Sequence, residues 1–161
     1  MEVRNKVRGI AHDLDVAKIT VVGVPDRPGI SAALFQPLAR AGISIDTIVQ
    51  NASIDNITDL TFTVTKGDLA KAMEVVEPIA KSIGARECVA NSRLGKISII
   101  GTGMQNTPGY AARMFAALSE QNINIQLITT SEIRITCIIN DTEVKDAVRA
   151  LHRAFELEAP D

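Results

Sequence analysis

The sequence has no tryptophan, five other aromatic residues, two histidines and two cysteines. Proteins that bind single-stranded nucleic acids combine a basic groove with stacking aromatic side chains, whereas the formal net charge here is −2. Both cysteines fall in predicted strands and are most simply buried small hydrophobic residues, as opposed to a disulfide or metal pair. The composition therefore argues against a nucleic-acid partner and predicts no metal.

Long hydrophobic runs are also missing. No apolar stretch approaches the roughly 20 residues that span a bilayer, and residues 1–17 lack the apolar core of a signal peptide. We therefore expect a cytoplasmic protein with no membrane partner. In that reducing compartment Cys88 and Cys137, which both fall in predicted strands, are expected to be buried free thiols.

Internal repetition is the strongest feature that the sequence does have. Residues 18–23 (Lys-Ile-Thr-Val-Val-Gly) and 26–35 return as residues 96–101 (Lys-Ile-Ser-Ile-Ile-Gly) and 106–115. Each copy contains an apolar β-branched run, a glycine-containing turn, a Pro-Gly step and an amphipathic helix. The repeat therefore divides the chain into two similar units.

Periodicity predicts the remaining elements of each copy. Residues 43–50 and 123–130 form apolar runs that predict a second strand, and Leu60, Phe62 and Val64 alternate with threonines in a third. Ile133, Ile135 and Cys137 repeat this alternation, and a second amphipathic helix follows in both copies. Residues 86–91 supply a fourth strand to copy one, which completes the ferredoxin-like βαββαβ arrangement.

Copy two has no residues left for its own fourth strand, because only residues 156–161 follow its second helix. Residues 3–12 precede copy one and alternate weakly, with Val7, Gly9 and Ala11 on one face. We predict that this segment closes the sheet of copy two. The predicted fold class is α+β, with two tandem ferredoxin-like domains: residues 15–92 form domain 1, which is inserted into domain 2, formed by residues 1–14 plus 93–161.

Both copies place Pro-Gly where the first helix should start. Proline is favoured in a first helical turn, and glycine allows a bound group to approach the backbone closely. Exposed amides and the positive end of the helix dipole favour a small carboxylate there. Asp26 and its counterpart Asn106 could accept from a ligand ammonium, or they could simply cap the helix as part of a good turn.

The second strand of each copy should lie at a sheet edge, since the βαββαβ strand order is 4-1-3-2. Edge strands have unpaired backbone groups, so we expect each unit to pair with another and the chain to form a homodimer. Gln50, Asn51 and Ser53 would line the junction, although polar residues on an edge can also serve solubility alone. No nucleophile and base pair, phosphate loop or dinucleotide fingerprint is present, so the sequence predicts binding without catalysis and no cofactor.

These motifs resemble ACT domains, and more closely the regulatory region of aspartate kinases. The resemblance is carried by residues 26–29 (Asp-Arg-Pro-Gly), 43–51 (Ile-Ser-Ile-Asp-Thr-Ile-Val-Gln-Asn), 101–104 (Gly-Thr-Gly-Met) and 124–133 (Asn-Ile-Gln-Leu-Ile-Thr-Thr-Ser-Glu-Ile). It covers nearly the whole chain and leaves no room for a kinase domain. The chain is similar to a separate β subunit, or to an excised C-terminal regulatory region, and is not expected to be catalytic alone.

The resemblance implies feedback control of the aspartate pathway by L-threonine, L-lysine or both, through a catalytic α subunit. The implied effector contacts are Asp26, Pro28, Gly29, Ser31 and Gln50 from copy one, with Asn122, Asn124 and Ile125 from copy two of the other chain. A second candidate pocket consists of Met104, Pro108, Gly109 and Ser131. Its turn is two residues longer and has no aspartate.

Two other functions remain open from the sequence. One is a regulatory subunit of another biosynthetic enzyme such as acetolactate synthase. The other is a small ferredoxin-like enzyme of the acylphosphatase type, which needs an arginine in the first loop to hold phosphate. Arg27 is the candidate in copy one, but copy two has Thr107 at the corresponding position.

Overall fold

The computed structural model describes residues 5–157, which contain six β-strands and four α-helices. The strands are β1 (Val7–Pro25), β2 (Ile48–Gln50), β3 (Ile57–Val64), β4 (Glu87–Gly101), β5 (Leu127–Thr130) and β6 (Arg134–Asn140). The helices are α1 (Ile30–Arg40), α2 (Leu69–Ser82), α3 (Tyr110–Glu120) and α4 (Val144–Ala154). Single 3₁₀ turns precede α2, α3 and α4 at Lys66–Asp68, Met104–Asn106 and Asp141–Glu143.

The chain divides into two compact units. Residues 15–92 form what we call the inserted unit, and residues 1–14 with 93–161 form the outer unit. The strand order is β2-β3-β1-β4 in the inserted unit and β1-β4-β6-β5 in the outer unit. Both orders are the predicted 4-1-3-2, and the N-terminal strand completes the outer sheet as the sequence predicted. Val3, which was included in that predicted strand, lies outside the described residues.

Two strands are longer than the sequence indicated. β1 runs through 19 residues and joins the N-terminal strand to the first strand of copy one. β4 runs through 15 residues and joins the fourth strand of copy one to the first strand of copy two. Residues 13–17 and 92–95, which lie between the predicted strands, continue the extended backbone, and Gly95 lies within β4 without a positive φ. The irregularity falls instead at Gly23, where the β1–β3 register shifts and φ is 69°.

The inserted unit has its own apolar core between its sheet and helices α1 and α2. The alternating residues Leu60, Phe62 and Val64 are buried as predicted, and Phe35 packs edge-on against Phe62 with ring centroids 5.2 Å apart. Further members come from β1 and the two helices: Ala17, Ile19, Val21, Leu34, Leu38, Ala72, Val76 and Ala80. Within each helix these residues recur at four-residue spacing, which places them on one face.

The outer unit has the equivalent core, formed by β4, β6, α3 and α4. Its largest members include Ile97, Ile99, Met114, Leu118, Ile139, Leu151 and Phe155. On the opposite face of the sheet the hydroxyls of Ser98 and Thr136, directly paired across β4 and β6, lie 2.6 Å apart and are buried. Thr20 and Thr61 form the corresponding pair in the inserted unit at 3.0 Å. The buried hydroxyls of Ser98 and Thr136 and the half-buried ones of Thr20 and Thr61 thereby have hydrogen-bond partners.

The second strands are shorter than predicted. β2 begins at Ile48 and β5 at Leu127, whereas both were expected five or four residues earlier. Ile43 and Ile123 at the start of those runs are buried, and their N–H groups donate to the Leu38 and Leu118 carbonyls at the helix ends. They fix the chain where it leaves α1 and α3. Their apolar side chains predicted strands, but these residues belong to the helix ends. Ile133, expected inside a strand, precedes β6 and is 49% exposed.

Both cysteines are free thiols in strands, as expected. Cys137 is fully buried beside Met114, and burial raises the pKa of its thiol to about 12. Cys88 is half-buried, and its thiol pKa is raised by burial and by the nearby Glu77 carboxylate. Within residues 5–157, no helix has the length and hydropathy needed to cross a bilayer.

Replacing Gly101 tests how closely β1 and β4 approach at the start of the outer sheet. A Cβ at Gly101 would lie 2.1 Å from the Lys6 carbonyl oxygen and 3.1 Å from the Val7 Cα. Gly101→Ala should therefore destabilise the protein by about 1–3 kcal/mol or more, since backbone must move. Gly9→Ala is the control, because a Cβ there meets no atom within 4 Å. Urea unfolding curves that coincide for the two variants would contradict this pairing.

Candidate functional site

The two Pro-Gly turns have the same backbone geometry. Gly29 and Gly109 are the N-cap residues of α1 and α3, with φ of 92° and 103°. The prolines therefore precede the helices, which corrects the expectation that they occupy the first helical turn. Neither helix start receives a side-chain hydrogen bond, so the capping role considered for Asp26 and Asn106 is also wrong.

The left-handed glycine leaves the helix amides without a capping side chain. The first regular helical bonds run from the Ala33 N–H to the Gly29 carbonyl at 3.0 Å and from the Arg113 N–H to the Gly109 carbonyl at 2.9 Å. The amides of the residues between, including Ser31 and Ala111, belong to the first turn and have no intrahelical acceptor. Each turn thus presents N–H donors and the positive end of an 11-residue helix.

A small cavity adjoins the turn of the inserted unit. Its volume is ≈ 20 Å³, and Asp26, Ser31 and Gln50 are among its lining residues. Pro28 and Gly29 lie in the turn beside it without lining it. The Asp26 N–H donates to the Asn56 carbonyl at 2.8 Å, which ties the turn to the β2–β3 hairpin. A cavity of this size holds about one water molecule, so as it stands it cannot enclose an amino acid.

A much larger cavity adjoins the turn of the outer unit. Its volume is ≈ 520 Å³, within the range of about 300–1,000 Å³ common for small-molecule sites. All four residues of the second candidate pocket line it: Met104, Pro108, Gly109 and Ser131. Tyr110, Thr130 and Glu132 line it as well. The second candidate pocket, whose turn is longer and has no aspartate, therefore has the larger cavity.

Asn122, Asn124 and Ile125 lie at the other end of α3 from Gly109. That helix has 11 residues, so roughly 16 Å of helix separates them from the larger cavity. Both asparagines are exposed and Ile125 packs partly against the outer core. Asn122 has φ of 57°, and its repeat counterpart Gly42 has φ of 78°, so this asparagine also serves as the left-handed residue that ends the helix.

Sequence reasoning missed three residues that the structure places at the cavities. Thr58 is buried in the small cavity, where its hydroxyl donates to the Asn51 carbonyl at 2.9 Å. Glu132 contributes the carboxylate at the larger cavity. Tyr110 was detectable, since it is the single tyrosine of the chain and replaces Ile30 of the other repeat.

Comparison with known proteins identifies the family of the chain. Models of the ACT domain match residues 18–80 and residues 97–155. The chain therefore belongs to the ACT-domain family, and both matches start within the long strands and include one Pro-Gly turn each.

The relatives define which ACT protein this is. An aspartokinase of Pseudomonas aeruginosa is 47% identical over 154 residues, which is 96% of this chain and 37% of the relative. The ligand-free regulatory subunit of aspartate kinase from Thermus thermophilus is 41% identical, with a TM-score of 0.87 covering 93% of this chain and 99% of that one. A structure of aspartokinase alpha and beta subunits gives 40% identity and a TM-score of 0.86, covering 93% and 99%. The chain is the regulatory ACT-domain part of an aspartate kinase, and it spans about 37% of the length of the curated relatives that it matches.

Alanine substitutions at the turn glycines test whether the left-handed backbone is required. Neither Gly29 nor Gly109 has an atom within 4 Å of an added Cβ, so only the backbone conformation opposes a side chain. Each change to alanine should cost about 1–2 kcal/mol of unfolding free energy. Gly67→Ala, also in open space but without a positive φ, should be neutral or slightly stabilising. Equal denaturation midpoints for the three variants would refute the requirement.

Proposed function

We propose that this chain senses L-threonine for an aspartate kinase and thereby brings about feedback inhibition of aspartate-family amino acid biosynthesis. The observation that carries the proposal is the duplicated turn, in which a left-handed glycine starts a helix that no side chain caps, beside a cavity lined by polar groups. A free amino acid has a carboxylate for those amides and an ammonium for a neighbouring oxygen.

Threonine is the effector proposed for the inserted unit. The Asp26 carboxylate would hold the ammonium, and Ser31 and Gln50 suit a short hydroxyl side chain. Because the cavity is only ≈ 20 Å³, binding there requires additional walls or an opening of the turn. We propose that Asn122, Asn124 and Ile125 of a second copy supply those walls, and the exposure of both asparagines is compatible with such a contact.

A homodimer is part of this proposal. β2 and β5 are the edge strands of their units and have unpaired backbone groups on one side. Each also exposes an isoleucine at the same repeat position, Ile48 at 55% and Ile128 at 44%. Exposed apolar side chains beside a free strand edge favour association with another sheet edge.

The larger cavity of the outer unit is the proposed second effector site. Its volume of ≈ 520 Å³ accommodates an amino acid without rearrangement. Glu132 provides a carboxylate at this cavity that has no counterpart at the smaller one, where Asp26 is the acidic group. Glu132 could pair with the side-chain ammonium of L-lysine, which is the proposed alternative or additional effector.

We further propose that the chain is not catalytic alone and acts on a catalytic α subunit in the cytoplasm, without a cofactor of its own. The similarity to a structure of aspartokinase alpha and beta subunits supports such a partner. Inhibition then follows if the effector binds one state of the assembled kinase more tightly than the other, since only differential affinity can shift that equilibrium.

Thermal unfolding with added threonine tests the role of Asp26. Binding to the folded state alone stabilises the parent protein by about 2.7 kcal/mol at a hundred times the dissociation constant. Asp26→Ala should weaken threonine binding by about tenfold or more, because a charge-assisted hydrogen bond is lost. Asp146→Ala removes an exposed carboxylate from α4 and serves as the control. If Asp26→Ala retains the parent's full threonine-dependent shift in melting temperature, Asp26 does not bind the effector.

Sedimentation velocity tests the dimer and its edge. The parent should sediment as a dimer at micromolar concentration with threonine present, and Ile48→Asp should shift it toward monomer, because a charge would be buried at the edge. Ile54→Asp is the control, since Ile54 is 79% exposed but lies outside β2. A parent that remains monomeric, or two variants that dissociate alike, would argue against association through β2.

A further inference from the structure

The segment that leads into β1 is held by a group of hydrogen bonds within the outer unit. The Asn5 side-chain amide donates to the Phe155 carbonyl at 2.6 Å, and its oxygen accepts from the Val7 N–H at 3.1 Å. The Arg8 guanidinium donates to the Asn5 carbonyl at 2.7 Å. The Lys6 N–H donates to the Tyr110 hydroxyl at 2.8 Å. We call residues 5–8 the entry segment.

Tyr110 belongs to both the larger cavity and this hydrogen-bonded group. It is the first residue of α3, directly after the Pro-Gly turn, and it lines the cavity. Its ring is buried and stacks on Phe155 with centroids 6.3 Å apart and planes 14° from parallel. Phe155 in turn accepts from Asn5, so the ring and the hydroxyl of Tyr110 connect to the entry segment by two routes.

A further contact joins the same segment to the cavity loop. The Lys6 ammonium lies 3.5 Å from the Gly103 carbonyl, and Gly103 is the N-cap of the 3₁₀ turn that begins with Met104. Met104 lines the cavity and is buried. Two walls of the cavity, the 3₁₀ turn and the start of α3, thus contact Lys6.

The inserted unit offers a comparison for the position that Tyr110 occupies. Ile30 is the counterpart of Tyr110, is likewise the first residue of its helix and has the same 8% exposure. Directly before β4, the Arg86 N–H donates to the Val22 backbone carbonyl at 2.8 Å. An aliphatic residue is therefore sufficient for packing at this position. The tyrosine hydroxyl occurs in the outer unit, where the entry segment lies beside it.

We infer that Tyr110 is a positioning residue that couples occupancy of the larger cavity to the order of the entry segment. The inference rests on the proposed function of that cavity and adds its means of signalling. An amino acid in the cavity contacts the ring of Tyr110 and the loop around Met104, and so stabilises the arrangement in which the hydroxyl accepts from Lys6. Linkage requires the reverse effect too: loosening the segment weakens binding in the cavity.

Hydrogen exchange followed by mass spectrometry tests this coupling in the full chain. In the parent, L-threonine or L-lysine should slow amide exchange at Lys6 and Val7 by about threefold to tenfold, the worth of one hydrogen bond. Tyr110→Phe keeps the ring and removes the acceptor, so exchange there should be faster by a similar factor and its response to ligand should shrink. Ile30→Val is the control and should leave the entry segment unchanged.

Calorimetric titration of the same samples separates the two ideas. If an amino acid binds while exchange in the entry segment stays the same, the coupling is refuted and the proposed effector site stands. If neither amino acid binds the parent, the proposed function of the cavity fails. The coupling is then judged without ligand on a variant lacking residues 1–6: faster exchange at Met104 and Ser131 supports it, and unchanged exchange overturns it.

Discussion

The close backbone approach at Gly101 is the constraint on which the outer unit depends. The Lys6 carbonyl lies where a Cβ of residue 101 would be, so glycine is required for the chain to enter β1 at this place. That approach brings the N-terminal strand beside β4 and completes a sheet that residues 93–157 could not complete by themselves. It also delivers Lys6 to the Tyr110 hydroxyl and hence to the wall of the larger cavity.

Much of this architecture could be predicted because the sequence repeats. Local patterns predict the elements: the Pro-Gly turns, the alternation around Phe62 and the helical spacing of Val144, Ala147 and Leu151. Because each pattern occurs in both copies, one copy supports the prediction made for the other. Because copy two lacked its fourth strand, residues 3–12 were predicted as the source of that strand. Family resemblance added the aspartate kinase regulatory region, which the comparisons support over the acetolactate synthase and acylphosphatase alternatives.

Other features could not be predicted because they depend on tertiary contacts. Helix α1 begins after Pro28 because Gly29 adopts a left-handed conformation, and the value of φ cannot be read from the sequence. Ile43 and Ile123 have strand propensity, yet they are buried at helix ends. The two cavities differ in volume, ≈ 20 against ≈ 520 Å³, and the larger one is lined by the longer second turn together with Thr130, Ser131 and Glu132, so it depends on contacts between segments that are distant in the sequence.

The most direct test of the proposed effector sites is to locate the residues that effector binding perturbs. Amide spectra of nitrogen-15-labelled protein, recorded during titration with L-threonine and then L-lysine, locate the contacts residue by residue. The account predicts the largest shift changes at the first-turn amides of α1 and α3, with Gln50 or Glu132 beside them. Binding whose largest changes lie away from both Pro-Gly turns, or saturating amino acid with no change at either turn, would contradict it.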